Sequence, residues 1–389
     1  MSNRFQARRR QVKRREKEEG YFDYTLLFVV LFLVGFGMLM IYSTSSYEAK
    51  IDYGDSAYYV RTQLFASCLG MVLLIFFANI PYQIWQRFDV LAYIVTVALI
   101  LLVLTPMGME KYGARRWLNV FGVSLQPAEV AKLSMIIFLA SFVCKLGNGI
   151  RTKKGFIVSL CVSLPVCGMI YFITDNLSSA IIVFGIAVLM VFVASPDYKK
   201  FILIASAGIA SVAALIFGIV KFASTDSGFR FARVLAWLEP EQYASDTGFQ
   251  TLQSLYAIGS GGVFGKGLGQ SMQKLGFLPE AQNDMIFSII CEELGLFGAM
   301  AVILMFMILI WRFMIIANNA PDLFGALIVV GVMGHFAIQV ILNIAVVTNT
   351  IPNTGITLPF ISYGGSSVMF TLVEIGLVLS VSKGIKFKN

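Results

Sequence analysis

Residues 276–298 read GFLPEAQNDMIFSIICEELGLFG, and the apolar run that they open, residues 284–311, decides the class of fold. A polar stretch with one proline contains Glu280 and Asp284 and leads into the start of this run, and Glu292 and Glu293 lie inside the run. Carboxylates at the rim or in the body of a membrane helix cost free energy, so they are functional candidates by default. The segment therefore predicts a membrane helix with a functional site near its start.

The composition of the whole chain agrees with a membrane protein. Of its 389 residues, 58% are hydrophobic and 13% are charged, which excludes an ordinary soluble globular protein. A bilayer is crossed by about 20 apolar residues. The fold class is therefore an all-α polytopic membrane protein with about ten transmembrane helices. The apolar runs of that length are 25–43, 62–80, 88–105, 127–145, 155–173, 177–194, 201–221, 284–311, 323–347 and 361–381.

The distribution of lysine and arginine predicts the orientation. With the N-terminus inside, the inner segments hold 19 of these residues and the outer segments hold 10, with Lys132 inside a span. The positive-inside rule then places both termini in the cytoplasm. We predict a basic tail over residues 1–23, a membrane domain over 24–384 and a short tail over 385–389. The first apolar run is expected to be a retained helix rather than a cleaved signal.

Two predicted outer loops are long, residues 106–126 and residues 222–283. A long loop without regular structure is uncommon and is usually functional. The second loop contains a glycine-rich stretch and apolar residues, so we expect short helices there on or in the outer leaflet. It belongs to the membrane domain, and no soluble domain is predicted.

Cationic side chains in these loops are candidate ligands for phosphate groups. Arg115 and Arg116 are adjacent and precede Trp117, while Arg230 and Arg233 are spaced to share one face of a short helix. A guanidinium matches phosphate oxygens bidentately, and an indole suits an interface or a sugar face. Binding to lipid headgroups is the alternative for these residues.

Three further charged residues are candidates on weaker grounds. Glu129 and Lys132 are three residues apart at the start of the fourth span, so they form an ion pair or line a cavity. Lys266 follows glycines in GGVFGKGLG, which is not a phosphate-binding P-loop because Gly267 stands where Ser or Thr is needed. The alternative for Lys266 is a flexible re-entrant turn.

Asp284 has two interpretations. It is either the N-cap of the eighth helix or a general base at the outer membrane rim, with Glu280 four residues before it. Between the last two spans, an irregular stretch places hydroxyls where backbone outside a helix must line a protein-covered cavity. These candidates are Ser362, Tyr363 and Ser366. The single histidine, His335, lies in an apolar run, which disfavours a histidine metal site or triad.

Several long motifs, in this order, resemble the SEDS family, the shape, elongation, division and sporulation proteins of the bacterial cell wall. They resemble its FtsW and SpoVE branch more than its RodA branch. The resemblance extends over residues 22–384. The motifs are YGARRWLNVFGVSLQPAEVAKL (112–133), DNLSSAIIVF (175–184), GFQTLQSLYAIGSGGVFGKGLGQSMQKLGFLPEAQNDMIFSIICEELGLFG (248–298) and NTGITLPFISYGGSS (353–367).

The resemblance implies a peptidoglycan glycosyltransferase in the bacterial cytoplasmic membrane that polymerises lipid II at the outer face during cell division. It implies a class B penicillin-binding protein as partner, together with other divisome proteins. The family's essential aspartate corresponds to Asp284. A divalent cation, Mg²⁺ or Mn²⁺, is a further expectation, with Asp284 and Glu280 as its ligands. The family's other cavity positions match Arg115, Arg116, Glu129, Lys132, Arg230 and Arg233.

Two departures and several alternatives stay open. Gln282, Asn283 and Met285 stand where the family usually has His, Thr and Phe, so the side-chain support of Asp284 differs here. DNLSSA at 175–180 replaces PDLGTA, which concerns local packing. The alternatives are a lipid II flippase or transporter, a scaffold for the transpeptidase, and a polymerase of elongation or sporulation.

Overall fold

The computed structural model describes residues 21–386 except 112–113, 121–122, 196, 223–228 and 245–247. Nine of the helices in this part of the chain are long and apolar enough to cross a membrane. A further helix of 25 residues, Tyr198–Phe222, covers the seventh predicted span and has no charged residue between Lys200 and Lys221. The expected fold class is therefore confirmed.

The elements are numbered in chain order. The helices are α1 Tyr24–Tyr53, α2 Tyr58–Asn79, α3 Asp89–Leu102 after a 3-10 turn at Tyr82–Phe88, α4 Pro127–Leu146, α5 Lys153–Cys161, α6 Leu164–Thr174, α7 Leu177–Ala194, α8 Tyr198–Phe222, α9 Phe229–Leu238, α10 Phe249–Gly261, α11 Ile286–Asn318, α12 Leu323–Val347 and α13 Gly365–Lys383; the strands are β1 Gly108–Lys111, β2 Ala114–Val120 and β3 Val123–Leu125.

Three helices form the centre of the bundle. Helices α4, α12 and α13 are the most buried of the candidate spans, and α12 packs on α4, α7, α11 and α13. Helix α13 also packs closely along α2, because Gly376 leaves no room for a side chain: a Cβ there would lie 2.7 Å from the Leu74 carbonyl oxygen. Small residues at such crossings let two membrane helices approach closely.

Both ends of the described membrane domain lie on one face of the bundle. The backbone N–H of Tyr21 donates to the carbonyl of Ile385 at 3.4 Å. Beside them, Arg312 near the end of α11 bonds Asp23 at 2.6 Å, and Asp23 also caps α1 by accepting from the Leu26 N–H at 2.9 Å. An even number of membrane crossings requires this arrangement.

The structure differs from the sequence-based expectation in two places. The predicted outer loop 106–126 contains a three-stranded antiparallel sheet in the order β1-β2-β3, so the chain is not helical throughout. The fifth predicted span is two helices, α5 and α6, which are separated at Val162 and Ser163. Pro165 lies in the first turn of α6, where its missing N–H costs no hydrogen bond, and it prevents α5 from continuing.

The loop 222–283 forms a re-entrant hairpin in addition to helix α9. Helix α11 is broken at Gly295, where φ is 68°. The break frees carbonyls that accept from the N–H groups of Lys266 and Gly267 at 3.0 and 2.9 Å, while the freed N–H groups of Leu296 and Phe297 donate to the hairpin. The hairpin, residues 249–283, therefore descends alongside α11 rather than lying flat on the membrane as expected, because backbone groups at this depth need partners.

Candidate active site

Asp284 lies in the turn immediately before α11 and is 7% exposed. Asn343 of α12 fixes its backbone by donating from Nδ2 to the Asp284 carbonyl at 2.8 Å. In the side chain, Oδ1 has no hydrogen-bond partner among the described residues, and Oδ2 faces Gly355, where a Cβ would be 3.8 Å away. The N-cap interpretation is wrong, because no side chain caps α11. A buried carboxylate oxygen without a partner is available to a ligand.

The surroundings raise the pKa of Asp284 to about 7. Burial contributes most, because it disfavours the charged form, and the nearby negative charge of Glu280 acts in the same direction. Backbone hydrogen bonds and the positive charge of Arg233 oppose these effects without cancelling them. A carboxylate whose pKa lies near neutrality is suited to accept a proton during a reaction at that pH.

Glu280 is held in a strained turn next to Asp284. Its φ is 55°, a left-handed conformation that a residue with a Cβ rarely adopts. The turn is closed by the Asn283 N–H, which donates to the Glu280 carbonyl at 3.0 Å, and the Asn283 side-chain amide contacts the Glu280 carboxylate. Such strain persists only where surrounding structure enforces it, and it is frequent at active sites.

Helix α9 brings Arg233 to Asp284. Trp237 Nε1 donates to the Asn349 carbonyl at 3.0 Å, and Asn349 Nδ2 donates back to the Trp237 carbonyl at 3.3 Å. One helical turn away, Arg233 Nη1 reaches the Asn353 carbonyl at 3.5 Å. The predicted helix at 230–233 is confirmed, while the Arg230 side chain lies outside the described part of the structure.

Arg115 and Arg116 do not act as one pair. They are neighbours on β2, and successive side chains of a strand point to opposite faces. Arg115 is 53% exposed and bonds Glu110 at 3.4 Å. Arg116 turns toward the end of α6 and donates to the carbonyls of Thr174 and Asp175 at 3.2 and 2.9 Å. Trp117, next on the strand, is opposite Met109 in the sheet register.

Two predicted ligand residues, Lys266 and Ser362, make polar contacts within the protein. Lys266 forms an ion pair with Glu292 at 2.7 Å, so its charge holds the re-entrant hairpin to α11. Ser362 is 5% exposed, and its hydroxyl accepts from the Leu358 N–H at 2.8 Å. Tyr363 remains beside the site because its N–H donates to the Gln282 carbonyl at 2.9 Å, and Ser366 is half-buried in the first turn of α13.

Glu129 and Lys132 form the buried ion pair that their spacing suggested, at 2.8 Å. Lys132 also donates to Gln339 Oε1 at 3.2 Å, and Gln339 Nε2 donates to the Thr357 carbonyl at 2.9 Å. This pair therefore supports the 353–357 segment that faces Asp284, and His335 joins it through Gln339 at 2.7 Å.

A polar stripe on α12, which the sequence did not predict, lies beside the site. His335, Gln339 and Asn343 are spaced four residues apart, all three are buried, and they face the site segments. His335 also contacts Glu374 of α13 at 2.8 Å. Polar residues at i, i+4 and i+8 of a membrane helix lie on one face, so this spacing in an apolar run was the signal that could have identified them.

Together, the bundle and the site define a polytopic membrane protein with a buried carboxylate, whose pKa is about 7, near one end of the bundle. Charged and aromatic side chains surround this carboxylate on irregular backbone. The family model described as cell cycle protein, which comprises FtsW, RodA and SpoVE, matches residues 24–386. The chain belongs to this family.

Relatives and solved structures agree with this membership. The chain is 38% identical over 363 residues to stage V sporulation protein E of Bacillus subtilis, covering 93% of this chain and 97% of that protein. It is 38% identical over 367 residues to a probable peptidoglycan glycosyltransferase FtsW of Trichlorobacter lovleyi, covering 94% of each. The expected likeness to the FtsW and SpoVE branch is confirmed.

Two solved structures share the fold. A chain of a peptidoglycan synthase complex, described as coordinating polymerization and crosslinking, has a TM-score of 0.76 at 26% identity and covers 93% of this chain and 97% of that chain. The rod shape determining protein RodA of Thermus thermophilus has a TM-score of 0.64 at 25% identity, with 95% and 98% covered.

Proposed function

We propose that the chain is a peptidoglycan glycosyltransferase that polymerises lipid II into β-1,4-linked glycan strands in septal wall synthesis. The observation that carries this proposal is the buried Asp284 carboxylate, whose Oδ1 has no hydrogen-bond partner among the described residues and whose pKa is about 7. Relatives named as probable peptidoglycan glycosyltransferases support the reaction class.

In the proposed reaction, Asp284 is the general base. It takes the proton from the 4-hydroxyl of the acceptor's GlcNAc as that oxygen attacks the anomeric carbon of the donor sugar. The new glycosidic bond forms as the bond to the undecaprenyl pyrophosphate breaks, with inversion at the anomeric carbon. The proton stays on Asp284 until it is released to solvent, and the pyrophosphate leaves with its electron pair.

Positive charge near Asp284 would stabilise the pyrophosphate as it leaves. Arg233 is a described cation that could do this, because its positive charge already acts on the Asp284 carboxyl. Arg115 and Arg116, on opposite faces of β2, would act at separate points along the lipid headgroup. Trp117, Tyr363 and Ser366 remain candidates to contact its sugars or peptide.

A divalent cation fits the two carboxylates at this site. Within the described residues, no three His, Cys, Asp or Glu side chains form a metal-binding group. Mg²⁺ needs fewer protein ligands, since one or two carboxylates and substrate phosphates are a usual set. The carboxylates of Glu280 and Asp284 would hold it, and it would neutralise charge on the pyrophosphate.

The location and partner follow from the reaction. The Asp284 face of the bundle would be the outer face of the bacterial cytoplasmic membrane, and the face with Tyr21 and Ile385 would be the cytoplasmic one, as the lysine and arginine counts predict. A class B penicillin-binding protein would crosslink the product, which agrees with the synthase complex that shares the fold.

The test is a polymerisation assay with purified lipid II and the cognate transpeptidase. Wild type should yield glycan strands and Asp284→Ala none, while Asp322→Asn should polymerise normally because Asp322 caps α12 and asparagine also caps helices. Strand formation by Asp284→Ala at the wild-type rate would exclude Asp284 as the base. Transbilayer movement of lipid II without polymerisation by wild type would favour the flippase alternative.

A further inference from the structure

Four tyrosines form a continuous aromatic cluster beside the site, at the ends of α1 and α2. The rings of Tyr53 and Tyr58 are stacked with centroids 3.8 Å apart and an interplanar angle of 9°. Tyr59 packs edge-on against both, at 5.9 and 5.6 Å, and Tyr363 packs edge-on against Tyr59 at 5.0 Å. The stack is open to its surroundings, since Tyr53 is 52% and Tyr58 39% exposed.

Hydrogen bonds fix this cluster relative to Asp284. Gln63 lies one turn beyond Tyr59 on α2 and is buried; its Nε2 donates to the Ser362 carbonyl at 3.3 Å, and its Oε1 accepts from the Gly364 N–H at 3.1 Å. Tyr363, between them, donates its N–H to Gln282, two residues before Asp284. The tyrosines and the base are therefore parts of one rigid arrangement.

Acidic side chains accompany the rings. The Glu48 carboxylate at the end of α1 faces the Gln282 amide and interacts electrostatically with both Glu280 and Asp52. Glu280 in turn acts on Asp284. The cations described nearby are Lys50 and Arg61, and Arg61 pairs with Asp55 at 3.0 Å.

Stacked aromatic rings bordered by carboxylates match the chemistry of a saccharide. The C–H groups on one face of a pyranose are weakly positive and pack on the negative face of an aromatic ring. The hydroxyls at the edge of the sugar donate hydrogen bonds to carboxylates. The acids disfavour anionic lipid headgroups and phosphates, but they accept hydrogen bonds from neutral sugars.

We infer that Tyr53, Tyr58 and Tyr59, with Glu48 and Asp52, form a platform that binds a saccharide ring of the glycan next to the sugar at Asp284. The inference rests on the proposed function for the identity of the glycan. The competing role is membrane anchoring, since tyrosines are enriched at membrane interfaces. Interfacial anchors need only an amphipathic ring, whereas a platform needs these rings in this stack.

The test measures binding of a lipid-free GlcNAc–MurNAc tetrasaccharide to the full chain in nanodiscs. Tyr58→Leu and, separately, Tyr53→Leu should weaken binding about five-fold or more, because they remove a ring face, and Tyr58→Phe should bind within about two-fold of wild type. Phe172→Leu is the matched control, since Phe172 is an 81% exposed aromatic near the end of α6. It should not change binding.

Each outcome decides the inference. Wild-type affinity in both leucine variants would overturn it, and so would equal weakening by Phe172→Leu, which would indicate anchoring. Lipid II polymerisation by wild type is measured in the same nanodiscs with the cognate transpeptidase added. If wild type does not polymerise but tetrasaccharide binding depends on Tyr58, the proposed function fails and the platform stands. If wild type polymerises and binding is independent of Tyr53 and Tyr58, only the platform fails.

Discussion

Asp284 combines a fixed backbone with one carboxylate oxygen that has no partner among the described residues. Asn343 holds its backbone carbonyl, so the position of Asp284 does not depend on a hydrogen bond to Oδ1. A carboxylate that hydrogen-bonds within the protein would have a lowered pKa and would be a poorer base. Burial and the negative charge of Glu280 raise this pKa more than the backbone hydrogen bonds and the positive charge of Arg233 lower it.

The first prediction concerns the pH dependence of polymerisation. Asp284 is protonated below its pKa of about 7 and cannot accept a proton there, so kcat should fall as pH decreases through 7 and level off above it. Glu280→Gln removes a negative charge that raises this pKa, so the midpoint of the profile should move to lower pH. A profile whose midpoint is the same in both proteins would contradict this account.

The second prediction concerns stability. In the folded protein the pKa of Asp284 is raised, so the folded state binds the proton more tightly than the unfolded state does. The contribution of Asp284 to the free energy of unfolding is therefore fully present below the unfolded pKa of about 4 and is lost as pH rises to about 7. Asp284→Asn does not ionise. In the presence of a chelator at pH 8, Asp284→Asn should therefore unfold at a higher temperature than wild type. Its free energy of unfolding should be larger by on the order of 1–4 kcal/mol.

The control for the stability measurement is the same comparison at low pH. Below about pH 4 the Asp284 carboxyl is protonated in both the folded and the unfolded protein, so the difference between wild type and Asp284→Asn should become small. A difference that does not depend on pH would mean that the gain comes from packing and not from the removal of a buried charge.

At the scale of elements, the re-entrant hairpin and the broken helix α11 stabilise each other. The Gly295 break leaves backbone groups that the hairpin satisfies, and Gly265 and Gly261 allow the two segments to touch. Glu292 and Glu293 lie at this contact and pair with Lys266 and Lys274 of the hairpin. The two carboxylates that seemed costly in a membrane helix thus attach the hairpin that leads to Asp284.

The third prediction tests the hairpin backbone. Gly265 has φ 77°, and a Cβ there would lie 2.2 Å from the Glu293 carbonyl oxygen. Gly265→Ala should therefore destabilise the protein by at least about 2 kcal/mol, seen as a lower unfolding temperature. Gly259→Ala is the control, because nothing lies within 4 Å of its Cβ position in α10. Equal unfolding temperatures for the two variants would refute the close contact.

The fourth prediction tests the buried ion pair between Lys274 and Glu293. Lys274 Nζ lies 2.8 Å from Glu293 Oε1 and 3.1 Å from the Ser43 hydroxyl. Lys274→Met leaves a buried carboxylate without its cation and should cost about 3–5 kcal/mol. Adding Glu293→Gln removes that charge and should recover much of the stability. Absence of recovery in the double variant would show that packing, not charge, causes the loss.

At the scale of the whole molecule, the bundle places its ends and its site on different faces. Tyr21 meets Ile385 beside Arg312, while Asp284 lies before the opposite end of α11. The proposed orientation makes the first face cytoplasmic. A substrate that is polymerised outside the cell then reaches Asp284 without crossing the bundle.

The fifth prediction tests this orientation by cysteine labelling in spheroplasts of a variant that lacks the five native cysteines. Met107→Cys, beside the sheet on the Asp284 face, should react with a membrane-impermeant maleimide in intact spheroplasts. Asn319→Cys, exposed at the end of α11, should react only after permeabilisation. The reverse pattern would invert the proposed orientation.

The sequence by itself determined the membrane spans, marked Asp284 as a candidate and placed Glu129 and Lys132 close enough on one helix to pair. These features depend on local properties, namely the length of an apolar run, the cost of a charge in a membrane and the spacing of residues on one helix.

Only the tertiary structure decided which side chains reach the site. Arg115 and Arg116 lie on opposite faces of a strand. Lys266 forms an ion pair with Glu292. The ring of Tyr59 packs against that of Tyr363, although some three hundred residues of sequence separate them. Such contacts depend on how distant segments pack, and the spacing of residues along the chain does not specify that packing.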